Sequence, residues 1–232
     1  MPPNIKNFLL TGRPGIGKTT VAEAIIREFE EDAGGFVTGE IRESATRKGF
    51  RITTVDGETA TLAHVRFSSP VKVGKYGIDL ETLGSIAVPS VQTAIKQKQV
   101  IVIDEIGRME LASKEFRAAV LEALDSNRVV VATVQRHADL FTDQLKKRHD
   151  VKVIEVTIEN RNKLPRMVAE LVNGALKKHE RASEFTRCRS MPGRLAKPRT
   201  VEMLEPARRK GGTASCAYTW GDFWPTRFFF PG

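Results

Sequence analysis

Cysteine is scarce. The 232 residues contain two, Cys188 and Cys216, both late in the chain. Two such thiols provide neither a disulfide framework nor a zinc site, which points to a cytoplasmic protein. Long apolar runs are missing as well: no stretch approaches the roughly 18 consecutive apolar residues that span a bilayer. The opening residues, Met1-Pro2-Pro3-Asn4-Ile5-Lys6-Asn7, have no basic region followed by an apolar one, so no signal peptide is expected. The four histidines, His64, His137, His149 and His179, share no metal-ligand spacing.

What is present is enough for a full core. Hydrophobic residues make up 41% of the chain and charged residues 28%, the balance of a soluble domain. The net charge of +9 would ordinarily suggest nucleic acid as a partner, but its distribution weakens that idea. Residues 180–232 hold ten Lys and Arg against five Asp and Glu, a net of +5, which leaves +4 for residues 1–179. A mild excess of that size suits a protein that handles polyanionic nucleotides.

The pattern along residues 1–179 alternates apolar strands with amphipathic helices. Residues 5–11 form a short apolar run before a glycine-rich turn and are expected to be a buried strand. A helix is expected over residues 18–31, with Val21, Ala22, Ile25, Ile26 and Phe29 on one face, ended by Gly34-Gly35. Strands are expected at 36–43, 49–55 and 61–65, with Asp56-Gly57 as the turn between the last two. A loop rich in Gly, Pro and Ser runs from Ser68 to Gly77. Pro89 opens a helix, and Val100-Ile101-Val102-Ile103 reads as a strand buried on both faces. Ser113 caps a further helix, and residues 129–132 and 151–156 are two more strands. Leu164, Met167, Val168, Leu171, Val172, Ala175 and Leu176 form the stripe of a last helix. The expectation is an α/β protein, a mainly parallel sheet with helices on both faces and an antiparallel hairpin extension. The division is a domain over 1–179 and a basic tail over 180–232, with no sustained period and poor order.

Gly12-Arg13-Pro14-Gly15-Ile16-Gly17-Lys18-Thr19 matches the phosphate-loop pattern in full and lies between an expected strand and an expected helix. Its glycines let backbone N–H groups turn inward and approach phosphate oxygens. Lys18 is placed on the β and γ phosphates and the Thr19 hydroxyl on Mg²⁺, with Thr20 beside them. Arg13 is expected to be exposed rather than catalytic. Asp104-Glu105 ends a buried strand, where open α/β sheets bind ligands. There Asp104 can accept a hydrogen bond from a magnesium-bound water, so Thr19 and Asp104 are the metal residues. Glu105 is the general base that polarises the attacking water, and with Lys18 it forms the catalytic pair. Ile103 and Gly107 complete the nucleotide-binding set. Arg108 is expected at the surface, Glu110 as a solvated or helix-starting acid. For Thr133 a polar sensor and a plain strand-end residue remain equal alternatives.

With these motifs in hand, the chain resembles the small nucleoside-triphosphatases of thermophilic archaea and bacteria, related to the human cancer-related nucleoside-triphosphatase. The resemblance rests on Phe8-Leu9-Leu10-Thr11 running into the phosphate loop, on Val73-Gly74-Lys75-Tyr76-Gly77-Ile78-Asp79-Leu80, on Val102 through Leu111, and on Asp150-Val151-Lys152-Val153 with Thr157 through Asn162. It implies a RecA-like phosphate-loop NTPase fold in three layers. It also implies magnesium-dependent hydrolysis of ATP, GTP and other triphosphates to the diphosphate and phosphate, with broad base specificity. It supplies no counterpart for residues 180–232.

Two local expectations follow. Asn160 or Arg161 is a candidate neighbour of the base or ribose, set against helix capping by Thr157 and a surface Arg161. The loop over 73–79 is a candidate lid, with Lys75 near the phosphates. Two rival functions stand behind hydrolysis. A nucleotide or small-molecule kinase needs an arginine-rich lid, and the segment 66–80 offers only Arg66, Lys72 and Lys75. A nucleic-acid-binding module would have to rest on the tail's arginines and its tryptophans, Trp220 and Trp224, which no recognisable fold contains. No arginine finger is visible within the motifs, and the oligomeric state is not legible.

Overall fold

The computed structural model describes residues 4–136 and 139–189, with side chains to residue 179. Among these, nine strands form one sheet in the order β5-β6-β4-β3-β2-β7-β8-β1-β9. The strands are β1 (Asn7–Thr11), β2 (Ala33–Glu43), β3 (Thr46–Thr54), β4 (Thr59–His64), β5 (Lys72–Val73), β6 (Tyr76–Ile78), β7 (Val100–Ile106), β8 (Val129–Val134) and β9 (Val151–Glu155). From β2 to β9 every neighbour pair is parallel. From β2 outward through β3, β4, β6 and β5 every pair is antiparallel. The α/β expectation with a hairpin extension is met.

The parallel strands are apolar without alternation because both of their faces are covered. Successive side chains point to opposite faces. Ile101, Ile103 and Ile106 of β7 therefore join Val130, Ala132 and Val134 of β8 on one side. Val100 and Val102 join Phe8, Leu10, Val129 and Val131 on the other. Helices α3 (Val88–Gln97) and α4 (Lys114–Asp125) cover the first face, through Val91, Ala94, Phe116, Val120 and Leu124. Helices α1 (Lys18–Phe29) and α6 (Leu164–Arg189) cover the second, through Val21, Ala22, Ile25, Leu164, Val168 and Val172. Ser113 caps α4 as expected, its hydroxyl accepting from the Phe116 amide.

Several local expectations are corrected. Gly34-Gly35 does not end α1, which stops at Phe29 and passes through a 3₁₀ turn (Glu30–Asp32) into β2. Both glycines lie within β2, and Gly35 has φ +107°, where a Cβ would meet the Val102 carbonyl oxygen at 2.0 Å. Glycine there lets β2 press against β7. The strand β3 starts three residues earlier than expected, because Ser44 and Ala45 both take positive φ and close a tight hairpin without glycine. The loop after Ser68 contains β5 and β6 and leads to a helical turn α2 (Leu80–Thr82), capped by Asp79. A short helix α5 (Leu140–Lys146), capped by Asp139, was not foreseen. The backbone of α6 continues helical ten residues past 179, to Arg189, and the rest of the expected tail lies outside the described residues.

Candidate functional site

The strand order fixes the site. β1 delivers the phosphate loop and β7 delivers Asp104-Glu105, yet the two strands do not touch; β8 lies between them and pairs with both. The ends of these strands, with the start of α1, bound a cleft of about 540 Å³.

Gly15 and Gly17 take φ of +72° and +114°, conformations that side-chain-bearing residues rarely adopt. Gly17 precedes α1, whose first turn has no capping side chain and no acidic residue. Its free N–H groups and positive dipole end are thus left to an anion. Gly12, Pro14, Gly15, Gly17, Lys18, Thr19 and Thr20 line the cleft. Arg13 is exposed and contributes its backbone carbonyl to the turn, accepting from the Ile16 amide at 3.2 Å. Ile16 packs against the core below.

Asp104 is fully buried. Its Oδ2 accepts from Thr19 Oγ1 at 2.9 Å and from the Thr38 amide at 3.4 Å; its Oδ1 accepts from Thr133 Oγ1 at 2.6 Å. Phosphate loop, β2, β7 and β8 therefore meet on one carboxylate. Burial pushes this carboxyl above its ordinary range, against the pull of Thr133, Thr19, Thr38 and the Lys18 charge. Thr133, at the end of β8, thus bonds directly to Asp104.

Glu105 lines the cleft, half-buried. Burial raises its pKa, Lys18 opposes the rise and Asp104 adds to it. Gly107 also lines the cleft, wedged between two acids: a Cβ on it would meet Glu110 Oε2 at 3.1 Å and Glu105 Cγ at 3.5 Å. Ile103 is core, one residue before Asp104.

Glu110 opens a 3₁₀ turn (Glu110–Ala112), in line with the helix-starting alternative, but it is not solvated. It is 6% exposed, accepts from the Gly107 amide at 3.1 Å, and is pushed up to about 8 by burial. Arg108 is exposed at the cleft rim, as expected. Lys75 is not among the cleft-lining residues; its ammonium lies 5.5 Å from the centre of the Tyr76 ring, on a hairpin at the sheet edge. Asn160 instead braces the turn before α6. It accepts from the Thr157 amide and donates to the Glu155 carbonyl, both at 2.8 Å, and neither it nor Arg161 lines the cleft.

The far wall of the cleft was missed. Thr38, Gly39 and Glu40 of β2, Arg47 and Phe50 of β3, and Val73 of β5 complete it, with Gln135 and Arg136 after β8. Only the Val73–Leu80 stretch carried a signal, and it was read as a lid. Arg47 and Glu40 look like ordinary strand charges until β2 and β3 are paired.

Fold and site together define a phosphate-loop protein of the RecA-like kind, with an acidic pair on the strand next but one to the loop. A family model described as NTPase matches residues 7–169. The chain is 46% identical over 157 residues to the nucleoside-triphosphatase THEP1 of Thermotoga sp. (strain RQ2), covering 68% of this chain and 90% of that protein. It is 43% identical over 172 residues to THEP1 of Thermofilum pendens, covering 71% and 93%. The crystal structure of THEP1 from Aquifex aeolicus superposes with a TM-score of 0.67 at 34% identity, covering 72% of this chain and 98% of that one. The solution structure of a human cancer-related nucleoside triphosphatase gives 0.63 at 32%, covering 73% and 98%. The chain belongs to this family of nucleoside-triphosphatases. Among the described residues, no helix is long and apolar enough to cross a membrane.

Proposed function

We propose that the chain hydrolyses ATP, GTP and other nucleoside triphosphates to the diphosphate and phosphate, with Mg²⁺ and little discrimination between bases. The observation that carries this is the meeting of Thr19 and Asp104 at 2.9 Å with Glu105 in the same cleft.

The residues suit magnesium. Their donors are hard oxygens, a hydroxyl and a buried carboxylate whose direct partners are hydroxyls and an amide. Among the described residues, no group of three His, Cys, Asp or Glu side chains is arranged to hold a metal ion by itself. That fits an ion held by one or two protein groups, waters and substrate phosphates rather than by a protein cage. Thr19 and Asp104 would hold it, and it would supply charge neutralisation at the terminal phosphates.

The chain's own groups do the rest. Backbone amides of 12–17 and the start of α1 cradle the phosphates. Lys18 neutralises charge on the β and γ groups. Glu105 takes a proton from the attacking water as its oxygen bonds to the γ phosphorus and the bond to the leaving diphosphate breaks. Burial suits it to that task, because a raised pKa makes a carboxylate a better base near neutral pH. Weak base selectivity is supported by Asn160, whose amide is committed to backbone partners. A cytoplasmic setting belongs to this reading and rests on the scarcity of cysteine.

The test is phosphate release from a panel of triphosphates, with Mg²⁺ and with chelator, for the native chain and Glu105→Gln. The variant should bind nucleotide normally and lose turnover by about 1000-fold. Near-normal turnover removes the general-base assignment. A preference for one base above about 100-fold, near 2.7 kcal/mol, removes the broad specificity.

A further inference from the structure

The stretch Val73-Gly74-Lys75-Tyr76 is not accounted for by the phosphate loop or the acidic pair. Its structural role is visible at Tyr76, which is 8% exposed and packs edge-on against Phe50, ring centres 5.2 Å apart. Arg47 lies against both rings, its guanidinium 5.2 Å from the centre of Phe50 and 5.9 Å from that of Tyr76. Its Nε donates to the Tyr76 hydroxyl at 3.2 Å, and its Nη1 meets Glu40 Oε1 at 2.7 Å. That contact holds the Glu40 carboxyl below its ordinary range. Three partners thus fix one arginine on the wall of the cleft, while Nη2 has no hydrogen-bond partner among the described residues.

The position on that wall matters. Thr38, two residues before Glu40 on β2, directs its amide at Asp104 Oδ2. The wall therefore starts beside the carboxylate assigned to the metal and continues through Glu40 of β2 to Arg47 of β3. Lys18 and Thr19 line the same cleft, so a triphosphate held by them would lie along this wall. We propose that Arg47 is the arginine that contacts the γ-phosphate and the charge developing on it, with Tyr76 and Glu40 as its positioning residues. A charge fixed in advance stabilises a transition state without reorganising, and an arginine supplied in cis would do the work that a finger from a partner does elsewhere. Arg108 and Arg136 also line the cleft and, like Arg47, are exposed. No hydrogen bond holds either side chain among the described residues. The inference rests on the hydrolytic reading for its reaction and on binding alone for its contact.

The test compares full-length Arg47→Ala, Arg47→Lys, Tyr76→Phe and Arg108→Ala with the native chain. Calorimetric titration uses Mg-ADP and the non-hydrolysable β,γ-imido ATP analogue, and phosphate release is followed in parallel. Arg47→Ala should leave ADP affinity unchanged, weaken the analogue by about tenfold and lower kcat by about 100-fold. Arg47→Lys should recover part of the analogue affinity. Tyr76→Phe removes only the hydroxyl that orients Nε; it should lower kcat by about threefold to tenfold with KM unchanged. Arg108→Ala, at the cleft rim, should lower analogue affinity and kcat less than Arg47→Ala does. Equal weakening of ADP and analogue by Arg47→Ala, or no loss of either analogue affinity or kcat, overturns the assignment, as does a full loss on Arg108→Ala. Should Arg47→Ala fail to fold, the Lys and Phe variants decide: native kcat in both overturns it. A native chain that binds both nucleotides without releasing phosphate defeats the hydrolytic reading, while the ADP-against-analogue comparison still decides the contact.

Discussion

The two halves of the sheet treat charge in opposite ways. In the parallel half, polar groups are buried and held by hydrogen bonds: Asp104 by Thr19 and Thr133, Asn7 by the Leu124 carbonyl and Asp150. In the antiparallel half, charges sit at the surface as ion pairs, Glu40 with Arg42 and Arg47, Arg66 with Glu43. Exposed pairs contribute little to stability, whereas a buried acid that loses a partner costs much. The parallel half therefore carries the buried polar network and the proposed metal anchor, and the extension carries Arg47 and the groups that hold it. Substitutions can break that contrast.

The largest effect is expected at the seam between the halves. Gly35→Ala places a methyl 2.0 Å from the Val102 carbonyl oxygen at φ +107°. Separation of β2 from β7 should cost more than about 3 kcal/mol, read as a collapse of the chemical denaturation midpoint. Gly57→Ala offers the control. Its φ of +94° is equally positive, but nothing lies within 4 Å of the added methyl, so about 1 to 2 kcal/mol is expected. Equal losses at the two sites would show that the seam is not special.

Thr133→Val comes next. It removes the hydroxyl on Asp104 Oδ1 without changing the side chain's shape, at a cost of about 1 to 3 kcal/mol. Because that bond holds the carboxyl down, its loss should also move the acid limb of the pH–rate profile upward. An unchanged midpoint and profile would return Thr133 to a plain strand-end role.

The last effect is a slope with pH rather than a loss at one pH. Glu110, buried and titrating at about 8 in the folded chain against 4.5 as its reference, binds a proton more readily folded than unfolded. Its favourable contribution is complete below about 4.5 and is lost as pH rises through about 8. Glu110→Gln should remove that loss. Thermal midpoints taken at pH 5 and pH 8.5 without nucleotide should show the variant gaining on the native chain at the higher pH. A parallel shift at both would mean that Glu110 is ionised throughout.

The same contrast explains what the sequence disclosed. Strands β1, β7 and β8 are apolar on both faces, so their continuous runs were readable, and Gly12 to Thr19 with Asp104-Glu105 announced their chemistry at their ends. The extension offered weaker signals. Ser44-Ala45 turns a hairpin with no glycine or asparagine, because cross-strand pairing overrides the local preference. Gly34-Gly35 reads as a helix stop but serves a close strand contact. Arg47 gains meaning only when β3, β4 and β6 bring Tyr76 beside it, a relation across 29 residues that no local pattern encodes. The burial of Glu110 was illegible for a similar reason: nothing in Gly107-Arg108-Met109-Glu110 tells that the turn folds the carboxylate inward.

The hydrogen bonds gathered on Asp104 have one more consequence. Secondary elements distant in sequence are joined through a group that is also the proposed anchor for the substrate's metal. Occupancy of the cleft and cohesion of the fold then become linked equilibria. A nucleotide present at about 100 times its Kd would protect the folded chain by about 2.7 kcal/mol. Susceptibility to a protease should therefore follow the turnover cycle, highest in the interval between product departure and the next arrival. The enzyme's lifetime would then depend on the supply of what it consumes.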